Sequence, residues 1–143
     1  MNDQFDLILE EFRSGKIKTD DFDKWLSQNL GAVSVLLSRS AFLKLKQGDP
    51  TRALLERLGS GCSCSNIYKT GPFRSSSEFD ICMAEVDKAK ASGAVSATRE
   101  PGWVKPDKKE IGGAGFYECS NCHAIWKVLS PERAFLGEWN RIA

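Results

Sequence analysis

Histidine is the scarcest resource of this 143-residue chain: it has one, His123. A Ser-His or Cys-His hydrolase would have to be built on that single imidazole. Phosphate loops are missing too, because Gly112-Gly113-Ala114-Gly115 lacks the Lys-Ser/Thr pair and the helix that must follow. Neither a Ser-x-x-Lys nor a Gly-x-Ser-x-Gly nucleophile motif occurs. The expectation is therefore a protein that is not an enzyme, although adjacent acids such as Asp20 and Asp21 keep acid–base chemistry open. Charge of one sign is lacking as well. A net charge of +1 gives no general drive toward nucleic acid or membrane. No apolar run approaches the roughly 20 residues needed to span a bilayer; even Val33 to Leu37 is broken by Ser34. The N-terminus, Met1-Asn2-Asp3-Gln4-Phe5-Asp6, shows no basic region and no apolar core of a signal peptide. A chain with thiols and no export signal is expected in a reducing compartment, by default the cytoplasm.

What the chain does have is five cysteines in a telling arrangement. Two form the close pair Cys62-Ser63-Cys64. Two more form Cys119-Ser120-Asn121-Cys122, in the turn between two runs that read as strands. Four soft ligands in two clusters can close a tetrahedral zinc site, each cluster giving one edge of the tetrahedron. Residues 65 to 118 separate the pairs, far more than in a zinc finger, but ligands need only meet in space. Such a site would tie a helical first half to a sheet. Cys119-x-x-Cys122-His123 also matches the pattern for covalent haem attachment, which the missing export signal disfavours. A redox dithiol would sit at a helix N-terminus, whereas aromatic and β-branched residues flank this motif. Disulfides meet the same objection as haem and would leave one cysteine over. Cys82, between Ile81 and Met83 in a helical pattern, reads as a small buried hydrophobe. His123 adjoins a ligand and reads as supporting or exposed; whether His123 or Cys82 replaces one thiolate stays open.

Along the chain, Phe5, Ile8, Leu9 and Phe12 recur at helical spacing up to Gly15. Thr19 or Asp20 can cap a second helix that buries Phe22, Trp25, Leu26 and Leu30 and ends at Asn29 and Gly31. Residues 32–46 read as one further element, ambiguous at first between helix and strand. Asp49-Pro50 starts a helix burying Leu54, Leu55 and Leu58 up to Gly59. Beyond the cysteine pair, Ile67 and Tyr68 suggest a short strand closed by Gly71-Pro72. Ser75 and Glu78 make a capping box for a helix running to Gly93. Residues 94–104 suggest a strand around Val95 and Trp103, and 105–113 a polar loop. Strands over 116–118, 124–129 and about 137–142 then form an antiparallel meander, too small to be stable without metal or helices. The fold class is α+β: a helical region over 1–61 packed on a small antiparallel zinc-ribbon-like sheet with one further helix over 62–143.

Charge is uneven. Residues 1–30 carry seven acids against four bases, and residues 31–61 five bases against two acids. Neighbouring helices can neutralise each other in this way, or an acidic face can meet a basic partner. Asp20, Asp21, Asp23 and Trp25 are the candidate partner-binding residues. The only basic cluster beside an aromatic is Arg99, Lys105, Lys108 and Lys109 near Trp103, diluted by Glu100, Asp107 and Glu110. It keeps nucleic-acid binding as an alternative.

Tyr117-x-Cys119-x-x-Cys122-x-x-x-Trp126, followed by Pro131 and Gly137-Glu138-Trp139, resembles zinc-ribbon domains. With Cys62-x-Cys64 and Lys46-x-Gly48-Asp49 added, the chain resembles small bacterial immunity proteins of polymorphic or contact-dependent toxin systems. The first resemblance implies structural zinc on Cys62, Cys64, Cys119 and Cys122. The second implies a cytoplasmic toxin inhibitor that binds a cognate toxin domain; that no membrane is a partner is the expectation from charge and the lack of long apolar runs.

Overall fold

The computed structural model describes residues 2–59, 62–104, 113–132 and 134–143. It is an α+β protein in two units: Met1–Gly59 with Pro101–Val104 and Ala143, and Ser60–Glu100 with Lys105–Ile142.

The first unit is helical. In α1 (Asn2–Arg13), Phe5, Leu9 and Phe12 are buried, as their i, i+4, i+7 spacing requires. Helix α2 (Thr19–Gln28) buries Phe22 and Leu26, and Phe22 stacks on Phe12 with ring centres 4.3 Å apart. Neither expected cap side chain acts: Lys18 stands at the N-cap, with no side-chain hydrogen bond there. At the other end the Asn29 amide donates to the Trp25 carbonyl at 2.8 Å. Gly31 does not end a helix but lies inside α3 (Leu30–Leu36). The single element expected over 32–46 is two helices, because Leu37 and Ser38 are extended. Ser38 then caps α4 (Arg39–Lys46), its hydroxyl accepting the Ala41 N–H at 3.2 Å. Asp49 accepts the Thr51 N–H at 3.2 Å and so opens α5 (Thr51–Leu58) one residue later than expected. Arg57 of α5 reaches back to Asp6 of α1 at 2.8 Å. Trp103 belongs to this unit and leans on Phe12, 6.1 Å between ring centres.

The second unit is a five-stranded antiparallel sheet in the order β1-β5-β4-β3-β2, with α6 (Ser76–Ala91). Its strands are β1 (Gly71–Pro72), β2 (Val95–Thr98), β3 (Ala114–Cys119), β4 (Ile125–Leu129) and β5 (Glu138–Arg141). The expected meander is its centre, extended by one strand at each edge. Ile67 and Tyr68 are not a strand: a 3-10 turn over Ser63–Asn66 precedes them, and the paired residues are Gly71 and Pro72. The strand around Val95 stops at Thr98, so Trp103 lies outside it. The loop expected over 105–113 falls, apart from Gly113, outside the described residues.

Register sorts the sheet's side chains. Tyr117 pairs with Trp126, and Val128 with Trp139. These four share one face with Cys119 and pack with Cys82 and Val86 of α6 into one core. The rings of Trp126 and Trp139 stack at 5.1 Å and 8°. The capping box that starts α6 works with one arm shifted. The Ser75 hydroxyl accepts the Glu78 N–H, while Glu78 accepts from the Arg74 N–H rather than from Ser75. Gly137, at φ +90°, lets the chain turn into β5 where a side chain would collide with the Leu129 carbonyl and Phe73.

Candidate metal centre

The four paired cysteines meet. The Sγ atoms of Cys62, Cys64, Cys119 and Cys122 lie within 4.8 Å of one another. The two shortest edges cross between the pairs: Cys62 to Cys119 at 3.7 Å and Cys64 to Cys122 at 3.6 Å. A tetrahedron of sulfurs about 2.3 Å from a central ion has edges of about 3.8 Å. The same distances are far too long for the roughly 2.05 Å of a disulfide, and none of the five cysteines is in a disulfide. Four cysteines so placed can hold one metal ion, and a closed set of thiolates suits zinc.

Two local turns present the sulfurs. Cys62 and Cys64 flank the start of the 3-10 turn, where the Ser65 N–H and hydroxyl both donate to the Cys62 carbonyl, at 3.2 and 2.9 Å. At the other pair, β3 ends in a knuckle closed by the His123 N–H on the Cys119 carbonyl and the Cys119 N–H on the Ala124 carbonyl. Closing it needs a left-handed residue, and His123 supplies it at φ 62°. The Ser120 hydroxyl anchors the knuckle to the Gly93 carbonyl at 2.7 Å.

Donors converge on the sulfurs. The Asn121 N–H points at Cys119 Sγ at 3.4 Å, and the Asn121 side-chain amide at Cys62 Sγ at 3.5 Å. The Cys62 thiol is pushed down to about 6, first by the Cys64 backbone N–H and then by Asn121. Burial works the other way on Cys64 and Cys122, whose thiols are pushed up. The Trp126 indole N–H lies near enough to Cys64 to favour its thiolate and makes no full hydrogen bond among the described residues. Cys62 is thus prepared to ionise while Cys64 and Cys122 resist. A bound cation removes that resistance, since a coordinating thiol is deprotonated outright.

His123 and Cys82 stand apart. The His123 ring is 60% exposed and faces Glu118 at 3.8 Å, outside the sulfur cluster. That placement fits neither a fifth ligand nor a haem ligand. Cys82 is fully buried in the core, its thiol pushed up to about 12 by that burial. All four ligands belong to the second unit, so the site closes within the sheet unit rather than tying the helices to it. Asn121 and the Trp126 indole went unrecognised in sequence. The only hint was an amide-bearing residue inside the Cys-x-x-Cys turn, where backbone and side chain can both reach sulfur.

Asp20, Asp21 and Asp23 are all exposed on α2. Trp25 is half-buried and stacks on Phe5, ring centres 6.0 Å apart. Of the basic cluster, Lys105, Lys108 and Lys109 lie outside the described residues, and Trp103 packs against Phe12. No described helix is long and apolar enough to cross a membrane. Compared with known proteins, the chain matches no family model, no curated protein and no solved structure.

Proposed function

We propose that this chain is a non-enzymatic, cytoplasmic protein-binding domain whose sheet unit is held together by one structural zinc ion. Cys62, Cys64, Cys119 and Cys122 are its ligands. The observation that carries the reading is the sulfur cluster itself, with edges of 3.6 and 3.7 Å that suit a tetrahedral thiolate site. Four thiolates leave no open position for a substrate or an activated water. The one histidine lies outside the cluster, which supports a structural rather than a catalytic role. Because the ribbon-like sheet is small, metal-binding energy there is folding energy.

The partner in this proposal is a bacterial toxin domain, and the chain is the immunity protein that covers its active site. The resemblance of the sequence motivates this, and the three exposed aspartates at the start of α2 support it, since they suit a basic partner such as a nuclease. Co-expression with the toxin domain encoded beside this chain's own reading frame tests it. Restored growth and a purified complex are expected. If the neighbour is not toxic, or this chain neither binds it nor rescues growth, the immunity reading fails and an adaptor role replaces it. A gel shift with single-stranded nucleic acid that fades steeply with salt would instead favour the nucleic-acid reading.

A further inference from the structure

A cavity of about 380 Å3 opens on the helical unit, lined by Asp23, Leu26 and Ser27 of α2, by Leu30, and by Leu45 and Lys46 of α4. Its floor is aliphatic: Leu26 and Leu45 are buried and Leu30 is half-buried. Its rim carries one charge of each sign, yet the two do not pair. The Lys46 ammonium sits over the Phe42 ring, 5.5 Å from its centre. Asp23 has no ion-pair partner among the described residues. Asp20, Asp23 and Ser27 follow one stripe of α2 at i, i+3 and i+7, so a row of exposed carboxylates ends at the cavity mouth. Lys24 within the same helix and Lys18 at its N-cap are the other bases nearby in sequence, and both are exposed.

We infer that this cavity is the anchor pocket of a protein-binding surface, and that its occupant is a large aliphatic or aromatic side chain flanked by lysine or arginine on the partner. This rests on the protein-binding reading above and gives the partner's contact a chemistry. The cavity lies near the lower limit for small-molecule sites, which suits one side chain better than a cofactor. Interface energy concentrates where an apolar anchor fills a pocket inside a polar rim. The unpaired Asp23 and the carboxylates leading to it supply complementarity for a neighbouring base. A small free ligand in the cavity would leave Asp20 unmet, whereas a polypeptide can span both.

Methyl-resolved NMR of the full zinc-loaded chain tests this with three capped peptides: Ac-Gly-Lys-Leu-Gly-NH2, Ac-Gly-Arg-Phe-Gly-NH2 and Ac-Gly-Glu-Leu-Gly-NH2. The two basic peptides should give saturable shifts at the Leu26, Leu30 and Leu45 methyls, with the acidic peptide roughly fivefold weaker or more. Asp23→Lys, at an exposed position, should reverse that order. Ser27→Trp, also exposed, should block the mouth and abolish all three responses. No saturable shift, equal shifts from the acidic peptide, an unchanged order in D23K, or unchanged binding in S27W would each overturn the inference. Zinc content and growth rescue are separate readouts, so failure here is distinguishable from failure of the proposed function.

Discussion

Cys62 Sγ and Cys119 Sγ lie 3.7 Å apart although 57 residues separate them in the chain. The chain between them includes α6, β2 and most of β3. One ion shared by these sulfurs would therefore constrain the whole of that segment. The stability of the sheet unit and the occupancy of the site should then move together.

Replacing a ligand should be far more damaging than replacing the other buried cysteine. Cys119→Ser is expected to lose the metal and to cost more than about 4 kcal/mol. Cys82→Ala, in the same core, should keep full metal content and cost about 1–2 kcal/mol. Denaturant titrations followed by the fluorescence of the stacked Trp126 and Trp139, with metal analysis of each variant, make the comparison. Equal effects of the two variants would contradict the assignment.

Cys82 gives the zinc-loaded chain a definite pH dependence. Burial pushes its thiol up to about 12 from an ordinary 9.0, so its contribution to stability is complete below pH 9 and declines above it, where the unfolded chain releases the proton that the folded chain keeps. Stability against pH should thus fall less steeply above 9 in Cys82→Ala. Superimposable curves in that window would refute the assignment.

His123 should matter for backbone shape and not for coordination. At φ 62° it occupies a conformation that glycine adopts more readily. His123→Gly is expected to keep full metal content and to gain about 0.5–1 kcal/mol in stability. Metal analysis and thermal melting of that variant check both, and loss of metal would make His123 a ligand after all.

How far the sequence could be read depended on whether a feature was local. The amphipathic stripe of α1, the Ser75 cap of α6 and the paired spacing of the cysteines are written in adjacent residues, and each was legible. The break at Leu37-Ser38 was not, because the local cap on Ala41 works together with a distant partner. Ser38 donates its backbone N–H to Glu56 at 2.9 Å and its hydroxyl to the same carboxylate, 18 residues on. Residues Ile67 and Tyr68 have strand-forming side chains, yet pairing fell to Gly71-Pro72, because register with Trp139 and Glu138 selected them. Asn121 as a sulfur donor depended on Cys62 arriving from the far end of the unit. These three features are set by tertiary partners, whereas the shifted starts of α2 and α5 are one-residue differences at helix ends.

That Ser38 contact also gives the helical unit its own test. The Ser38 hydroxyl, and then its N–H, hold the Glu56 carboxyl below its usual 4.5. The stability this adds is present above that value and is lost as pH falls through the lower folded one. Ser38→Ala should cost about 1–2 kcal/mol at neutral pH through loss of the cap and the Glu56 bond, with less cost in acid. Guanidinium titrations at neutral and low pH, read by far-ultraviolet circular dichroism, measure it, and metal content should not change.

Elemental analysis of the folded, reduced chain purified without added metal decides whether the four sulfurs hold zinc. One zinc per chain is expected, released by a strong chelator with loss of the sheet unit's tertiary signal. Folded protein carrying less than about a tenth of an equivalent of zinc, and indifferent to chelation, would contradict it.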